Sequence, residues 1–568
     1  MKVELYGAGK VLKGRLRVPG DKSISHRAIM FSALAEGSTV IEGFLPSADC
    51  LSTMAIFQSL GIAIEKEGER IRVFGKGLRG LQEAKEALDC GNSGTTMRLM
   101  TGILSGQPFP SVLTGDESLC RRPMERVRKP LLEMGAEIHA EGERQTAPLH
   151  IYPAKLHACS YESPIASAQV KSAVLLAALS TEGETVYTEP FLSRDHTERM
   201  LSVMGADIRT TIEAGGKARI RIKGGATLRP FSGVFTVPGD ISSASYFMAA
   251  VFFLPGSELL LQNVGLNPSR TGILEVLSRM GAEYEIRNRR VTGGEETGDL
   301  FLRFGNLHGT EISGAIIPRL IDELPILAIL GVIAEGETVI KDAAELKVKE
   351  SNRIRAVVEN LQSLGISAFE TEDGMRIRGK GGIFSLSGKK VSSYKDHRIA
   401  MSFSILGLLC DKTNPMEIED AECVSISYPK FFEDLEKLLE ILKNEDSDIV
   451  VTNYSEDRYN SRNSKKIKKT LYETMNVGQK YNFDDLCLPY YGFKTWGPIL
   501  ATSNIKLSKL REANFKLSEK TFYVDMEFNS YYLPVIDNIV YYDLDIYRYF
   551  IGRIGQSINI ESLIRNVN

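Results

Sequence analysis

In the first 440 residues, cations recur at turns that look built to open helices. They are Lys22 and Arg27, Arg121 and Arg122, Arg194, Lys349 and Arg353, and Arg398 in Asp396-His397-Arg398. A guanidinium fork beside backbone N–H groups and the positive end of a helix suits phosphate and carboxylate groups, so a small polyanion is the expected ligand. A single surface cation is usually a solvated charge, but here the arrangement recurs in several Gly, Ser and Pro turns. Carboxylates accompany the cations: Asp322-Glu323 beside Pro325, and Glu350 between Lys349 and Arg353. A carboxylate among cations stays ionised at neutral pH and can act as a base, and its protonated form can return the proton later. The alternative is a salt bridge that only orients the arginines. Asn92-Ser93-Gly94-Thr95-Thr96 adds a small-residue loop in which Gly94 permits close approach of a ligand to backbone.

Two repeats indicate the elements that position these groups. Leu60-Gly61-Ile62, Met134-Gly135-Ala136, Met204-Gly205-Ala206, Met280-Gly281-Ala282 and Leu364-Gly365-Ile366 recur at spacings of about 70 to 85 residues. An amphipathic stretch such as Leu51 to Leu60 precedes the glycine and a β-type run such as Ile62-Ala63-Ile64 follows it, so each glycine is expected to take the left-handed C-cap conformation. The second repeat is Val18-Pro19-Gly20-Asp21-Lys22-Ser23, echoed by Val237-Pro238-Gly239-Asp240-Ile241-Ser242. Both copies read as strand, turn and helix start. The expected architecture is α/β: two similar lobes, each of about three units, with a cleft between them. Only the first copy carries Lys22 and Arg27, so the cleft chemistry is asymmetric.

A chain of 568 residues exceeds one compact core. With 69 basic against 72 acidic residues, net charge -3, nothing in the average favours nucleic acid or an anionic membrane, and a basic cleft has to be sought locally. Seven widely spaced cysteines without a CxxC pair indicate neither a disulfide framework nor a thiolate metal site, and a reduced cytoplasmic protein is expected. The start lacks an apolar signal region, and runs such as Tyr246 to Leu254 fall short of the roughly 20 residues of a membrane helix.

Composition changes near Asn444. A polar stretch, 444–470, reads as a linker too poor in apolar residues to pack alone. Thirteen of the 21 tyrosines and the only tryptophan, Trp496, lie after Asn444, so 471–568 reads as a separate appended module.

The chain resembles the 5-enolpyruvylshikimate-3-phosphate synthases, and the second class of that family more than the first. The resemblance rests on Gly20-Asp21-Lys22-Ser23, Ser167-Ala168-Gln169-Val170-Lys171, Arg194-Asp195-His196-Thr197-Glu198, Asn267-Pro268-Ser269-Arg270, Lys349-Glu350-Ser351-Asn352-Arg353 and Asp396-His397-Arg398, in the family's order over residues 1 to about 440. It implies two lobes of three β-α-β-α-β-β units, 1–20 with 238–443 and 21–237, and closure on substrate. It implies transfer of the enolpyruvyl group of phosphoenolpyruvate to the 5-hydroxyl of shikimate 3-phosphate, by a cytoplasmic monomer that needs no cofactor or metal. By resemblance, Lys22 contacts both substrates. Ser23, Arg27, Ser167, Ala168, Gln169, Arg194 and Lys349 hold shikimate 3-phosphate, with Gln169 also reaching phosphoenolpyruvate. Asn92, Gly94, Arg122, Arg353 and Arg398 bind phosphoenolpyruvate. Asp322 is the expected acceptor of the 5-hydroxyl proton, and Glu350 with Lys22 transfers a proton at the enolpyruvyl methylene.

The chain departs from the pattern in two places. Ser269 stands where the second class more often has threonine, and Ile426-Ser427-Tyr428-Pro429 replaces a stretch in which some members carry a lysine. A related transferase that acts on UDP-N-acetylglucosamine has Lys-Asn in place of Lys22-Ser23 and a loop cysteine, for which Cys120 is the candidate here. A catalytically inactive scaffold or sugar-recognition protein built around the tyrosine-rich end is the reading from another class. In that end, Phe522 to Glu527 and Tyr541 to Phe550 resemble the acceptor-side part of family 2 glycosyltransferases, with half of their acidic pair in Val524-Asp525. This resemblance implies a fragment without transferase activity.

Overall fold

The computed structural model describes residues 2–7, 9–141, 145–440, 449–460, 463–469, 480–482, 503–505 and 538–551. The chain divides into two compact units, Met1–Glu436 and Lys437–Asn568.

Six small sheets organise the first unit, and one pairing rule governs them. In five, a parallel pair is extended by two antiparallel strands: Val234–Thr236 beside Glu36–Glu42, Leu88–Asp89 beside Ser111–Thr114, Ser160–Glu162 beside Glu184–Glu189, Lys13–Leu16 beside Glu258–Gly265, and Glu311–Ile312 beside Glu337–Ile340. The sixth pairs Lys390–Ser392 with Met416–Glu419 and closes with the N-terminal strand Val3–Leu5. Three sheets belong to each lobe, as the repeats predict.

Helix endings follow the glycine repeat. Gly61, Gly135, Gly205, Gly281 and Gly365 all have φ between 76° and 99°. Each is followed by the backbone bond of a Schellman cap, such as Ile62 N–H to Phe57 O at 3.0 Å and Ile366 N–H to Leu361 O at 3.0 Å. The antiparallel strands then return along the sheet.

Each lobe is filled by helices buried nearly all round, which explains why their sequences lack a polar stripe. Every residue of Ile241–Phe253 and of Leu324–Ile333 is buried, and these two helices pack with His397–Leu406. In the other lobe Lys22–Leu34, Gly94–Leu104 and Ala168–Ala178 occupy the equivalent places.

The chain crosses between lobes at the two Val-Pro-Gly-Asp copies, which lie side by side. Gly20 and Gly239 form an antiparallel bridge, Asp21 N–H donates to Pro238 O at 2.7 Å, and Asp240 N–H donates to Pro19 O at 2.9 Å. A Cβ on Gly20 would stand 1.9 Å from the Gly43 carbonyl oxygen, so only glycine allows this approach.

The second unit is a five-stranded sheet, in which Ile449–Asn460 pairs in parallel with Asn538–Ile551 and antiparallel with Asn463–Lys469 and Ser503–Ile505. This corrects the expectation of a polar linker over 444–470. A backbone ladder can be built from polar residues, and Ile449-Val450-Val451-Thr452 is a β-branched run that a count of apolar residues undervalues. Of the glycosyltransferase-like segments, Tyr541 to Phe550 lies on Asn538–Ile551, and Phe522 to Glu527 lies outside the described residues.

Candidate active site

A cleft of about 680 Å³ opens between the lobes, lined from both sides by residues between Lys22 and Arg398. Helix N-termini converge on it. Short polar side chains cap them: Asp21 accepts from Ile24 N–H at 2.8 Å, Ser93 from Thr96 N–H at 3.1 Å, Asn352 from Arg355 N–H at 3.2 Å, and Asp396 from Arg398 N–H at 2.9 Å. Ser167 precedes Ala168–Ala178 without a side-chain capping bond to it. Nine cationic side chains and six carboxylates line the cleft, so a chain of slightly negative net charge holds a locally positive site for anions.

Asp322 sits at the centre of the charges. Its Oδ1 accepts from Arg353 at 3.2 Å, its Oδ2 is bonded by Arg194 from the opposite lobe, and Arg398 approaches Oδ2 at 3.5 Å. Burial pushes the Asp322 carboxyl up, but Arg398, Arg194, Lys349 and Arg353 outweigh it and hold it well below the usual carboxylate range. Arg353, 1% exposed, also donates to Asp396 at 2.8 Å and pairs with Glu350. Burial likewise raises the Glu350 carboxyl, and the neighbouring charges, Arg353 foremost, reverse the effect. His397 is lowered to about 4 by burial and is neutral at pH 7, so Arg353 and Lys22 carry that effect there. Burial alone would lower the Lys22 ammonium, yet Asp49, 2.5 Å away, and Glu350 raise it.

The other wall is a hydrogen-bonded cradle. Arg122 donates to Asn92 Oδ1 at 2.7 Å, and Asn92 donates to Asp116 at 2.7 Å. Arg98 donates to Gln169 Oε1 at 2.5 Å, and Gln169 donates to Thr95 Oγ1 at 2.9 Å. A Cβ on Gly94 would stand 3.0 Å from Arg98 Nη1 and 3.5 Å from Arg122 Nη1, so glycine keeps both guanidinium groups accessible. Lys349 pairs with Glu345 at 3.1 Å on the cleft rim.

Of the residues singled out in the sequence, Lys22, Ser23, Asn92, Gly94, Arg122, Ser167, Ala168, Gln169, Arg194, Asp322, Lys349, Glu350, Arg353 and Arg398 all line this one cleft. Arg27 stands behind the wall, 3% exposed, donating to Ser23 O at 3.0 Å, Thr197 Oγ1 at 2.8 Å and Ser172 Oγ at 2.8 Å. Arg121 faces solvent and pairs with Glu117. Sequence reasoning missed Asp49, Arg98, Arg126, Asp240, Arg270, Asp342 and Glu345 on the wall. Arg98 could have been found, because it follows Gly94 by one helical turn; Asp49 carries no local signal of chemistry. Cys120 is not on the wall, and its Sγ donates to Gly115 O at 3.3 Å. Among the described residues, no group of three or more His, Cys, Asp or Glu side chains is arranged to hold a metal ion, and no helix is long and apolar enough to cross a membrane.

Residues 7–435 match the family described as EPSP synthase (3-phosphoshikimate 1-carboxyvinyltransferase). The chain belongs to the EPSP synthase family. It is 54% identical over 434 residues to the 3-phosphoshikimate 1-carboxyvinyltransferase of Bacillus licheniformis, covering 76% of this chain and 99% of that protein. It is 51% identical over 429 residues to that of Brevibacillus brevis, covering 76% and 98%. A solved structure of EPSP synthase from Acinetobacter baumannii superposes with a TM-score of 0.69 at 44% identity, covering 77% of this chain and 98% of that one. The enolpyruvyl transferase NikO from Streptomyces tendae, 20% identical with a TM-score of 0.60, shares the fold. The family match ends at residue 435, and the glycosyltransferase resemblance of the C-terminal segment is not borne out.

Proposed function

We infer that the cleft transfers the enolpyruvyl group of phosphoenolpyruvate to the 5-hydroxyl of shikimate 3-phosphate with release of phosphate, the shikimate-pathway reaction of this family, and that this chain is of its second class. One observation carries the reading: Asp322, Glu350 and Lys22 face a single cleft whose cations come from both lobes. Two anionic substrates supply the phosphate and carboxylate groups that such cations suit.

In the proposed assignment, shikimate 3-phosphate lies against Ser23, Ser167, Ala168, Gln169, Arg194 and Lys349, with Arg27 bracing Ser23 from behind. Phosphoenolpyruvate lies against Asn92, Gly94, Arg122, Arg353 and Arg398, and Lys22 and Gln169 reach both. Asp322 takes the hydroxyl proton as oxygen bonds to the central carbon of phosphoenolpyruvate, while the Lys22–Glu350 pair, whose proton resides on the Lys22 ammonium, delivers a proton that converts the methylene to a methyl group. The tetrahedral adduct then expels phosphate, and loss of a methyl proton to the same groups restores the methylene. Preplaced charge stabilises the cationic character of the attacked carbon and the leaving phosphate. The clamp on Asp322 serves this sequence. Arg194, Arg353 and Arg398 hold it ionised, and substrate anions that draw these cations away return basicity to it when the hydroxyl arrives.

Residues 1–20 with 238–443 are assigned to one lobe and 21–237 to the other. The cleft is drawn from one chain, which supports catalysis by a monomer, and the free cysteines favour the reducing cytoplasm. Phosphate release by the purified full chain from phosphoenolpyruvate with shikimate 3-phosphate, compared with UDP-N-acetylglucosamine as acceptor, tests the assignment. Release only with shikimate 3-phosphate is expected; release with the nucleotide sugar or with neither acceptor refutes it.

A further inference from the structure

Arg194-Asp195-His196 and Asn267-Pro268-Ser269-Arg270 carry much of the family resemblance, yet the mechanism above uses only Arg194. In the structure they meet across the lobes. Asn267 Nδ2 donates to Asp195 Oδ1 at 2.7 Å, Ser269 Oγ donates to the same oxygen at 3.0 Å, and His196 Nδ1 lies 2.8 Å from Glu295. Arg270 reaches further. Its Nη1 is 3.1 Å from Asp21 Oδ2, and its Nη2 is 3.3 Å from Asp240 Oδ1 and 2.7 Å from Ser242 Oγ. Arg270, Asp21, Asp240 and Ser242 are each 5% exposed or less.

Asp21 and Asp240 are the carboxylates of the two crossovers, and each caps the helix that follows its crossover, Asp21 through Ile24 N–H and Asp240 through Ser242 N–H, both at 2.8 Å. The first helix presents Lys22 and Ser23 to the cleft. Ser242, on the second, donates to Glu323, the neighbour of Asp322. One guanidinium therefore joins the two helix starts whose relative placement sets Lys22 and Ser23 against Asp322. Its planar fork can satisfy two carboxylates in fixed directions, whereas an ammonium acts as a point charge. Without it, two buried like charges would face each other across the two crossover segments that join the lobes.

We propose that the Asn267–Arg270 turn is an interlobe clasp and that Arg270 is a positioning residue, setting the approach of Lys22, Ser23 and Arg194 to Asp322 without touching the reacting atoms. The positioning role rests on the transferase reading; the clasp itself rests on geometry alone.

The test uses the full chain carrying Arg270→Gln, Arg270→Lys, or Asp21→Asn with Arg270→Gln. Asparagine keeps the helix cap while removing one of the facing charges. Arg270→Gln is expected to lower kcat on the order of 10- to 100-fold, the scale of a 1 Å misplacement, and to speed amide hydrogen exchange at both crossovers, around Asp21 and Asp240, with the sheets distant from them unchanged. Arg270→Lys is expected to fall between Arg270→Gln and the parent. The double variant is expected to regain slow exchange at the crossovers and most of the lost kcat. A kcat for Arg270→Gln within about threefold of the parent, less than the scale set by misplacement, overturns the positioning role. A rise in exchange throughout either lobe, or no recovery in the double variant, overturns the clasp. The parent assayed alongside separates the two readings: if it releases no phosphate the transferase reading fails, while the exchange experiment still decides the clasp.

Discussion

Replacing Asp322 by asparagine keeps the shape of the side chain and removes its charge and basicity. In the structure that carboxylate takes Arg353 at 3.2 Å on one oxygen, and Arg194 with Arg398 at 3.5 Å on the other, while Arg398 also donates to the Asp322 carbonyl oxygen at 3.2 Å. The amide oxygen can still accept one of these donors, so the fold survives, but three guanidinium groups lose their common anion. Loss of a positioned base is worth about 10²–10⁴-fold in rate, or roughly 3 to 5 kcal/mol of barrier. Binding should move the other way. Anionic substrates would no longer compete with a resident carboxylate for Arg194, Arg353 and Arg398, so KM for both should stay level or fall. The assay is steady-state phosphate release with each substrate varied in turn, and circular dichroism verifies folding. A folded Asp322→Asn enzyme retaining more than about a tenth of the parent kcat would refute the assignment of Asp322 as base, because that residue would then be supplying less than the lower bound for such a group. A risen KM at unchanged kcat would identify it as a substrate-orienting salt bridge instead.

Gly365 isolates the cost of the left-handed cap, since its φ is 76° and an added Cβ would meet nothing within 4 Å. Gly365→Ala should lower stability by about 1 to 2 kcal/mol in urea unfolding with activity intact. His26 is held to about 3 by burial, against 6.5 when unfolded, and its Nδ1 lies 2.7 Å from Thr53 Oγ1. The unfolded chain takes up this proton first, so the contribution is fully present above pH 6.5 and declines as pH falls from 6.5 toward 3. His26→Gln should flatten the acid loss of stability in that window by up to about 1.4 kcal/mol per pH unit, and an unchanged slope in pH-dependent unfolding would contradict this. Ending the chain at residue 443 should leave kcat and KM unchanged in the phosphate-release assay, because among the described residues all that line the cleft lie between Lys22 and Arg398; a large loss would give the C-terminal unit a part in catalysis.

Local order determines what the sequence can reveal by itself. The five glycine caps, the paired crossovers and the turns that open helices are decided within a few residues by φ and by unsatisfied N–H groups. They were therefore legible, and with them the repeated α/β units; of the fifteen candidate residues, fourteen line the one cleft. The placement of Arg27 was not legible. Whether a cation at a helix start faces a cleft or a buried wall depends on Ser172 and Thr197, which lie about 145 and 170 residues further along the chain. Asp49 and Arg98 became cleft residues only when the folding of one lobe brought them to Lys22 and Gln169. The depressed carboxyls of Asp322 and Glu350 likewise belong to the tertiary structure, since cations from distant segments must converge in a buried volume before they outweigh desolvation. Composition misled over 444–470, because a strand draws on backbone hydrogen bonds that an apolar count does not measure. The clasp between Asn267–Arg270 and the two crossovers joins residues as far as 249 positions apart. The sequence displays both halves, and only the folded chain places the guanidinium between them.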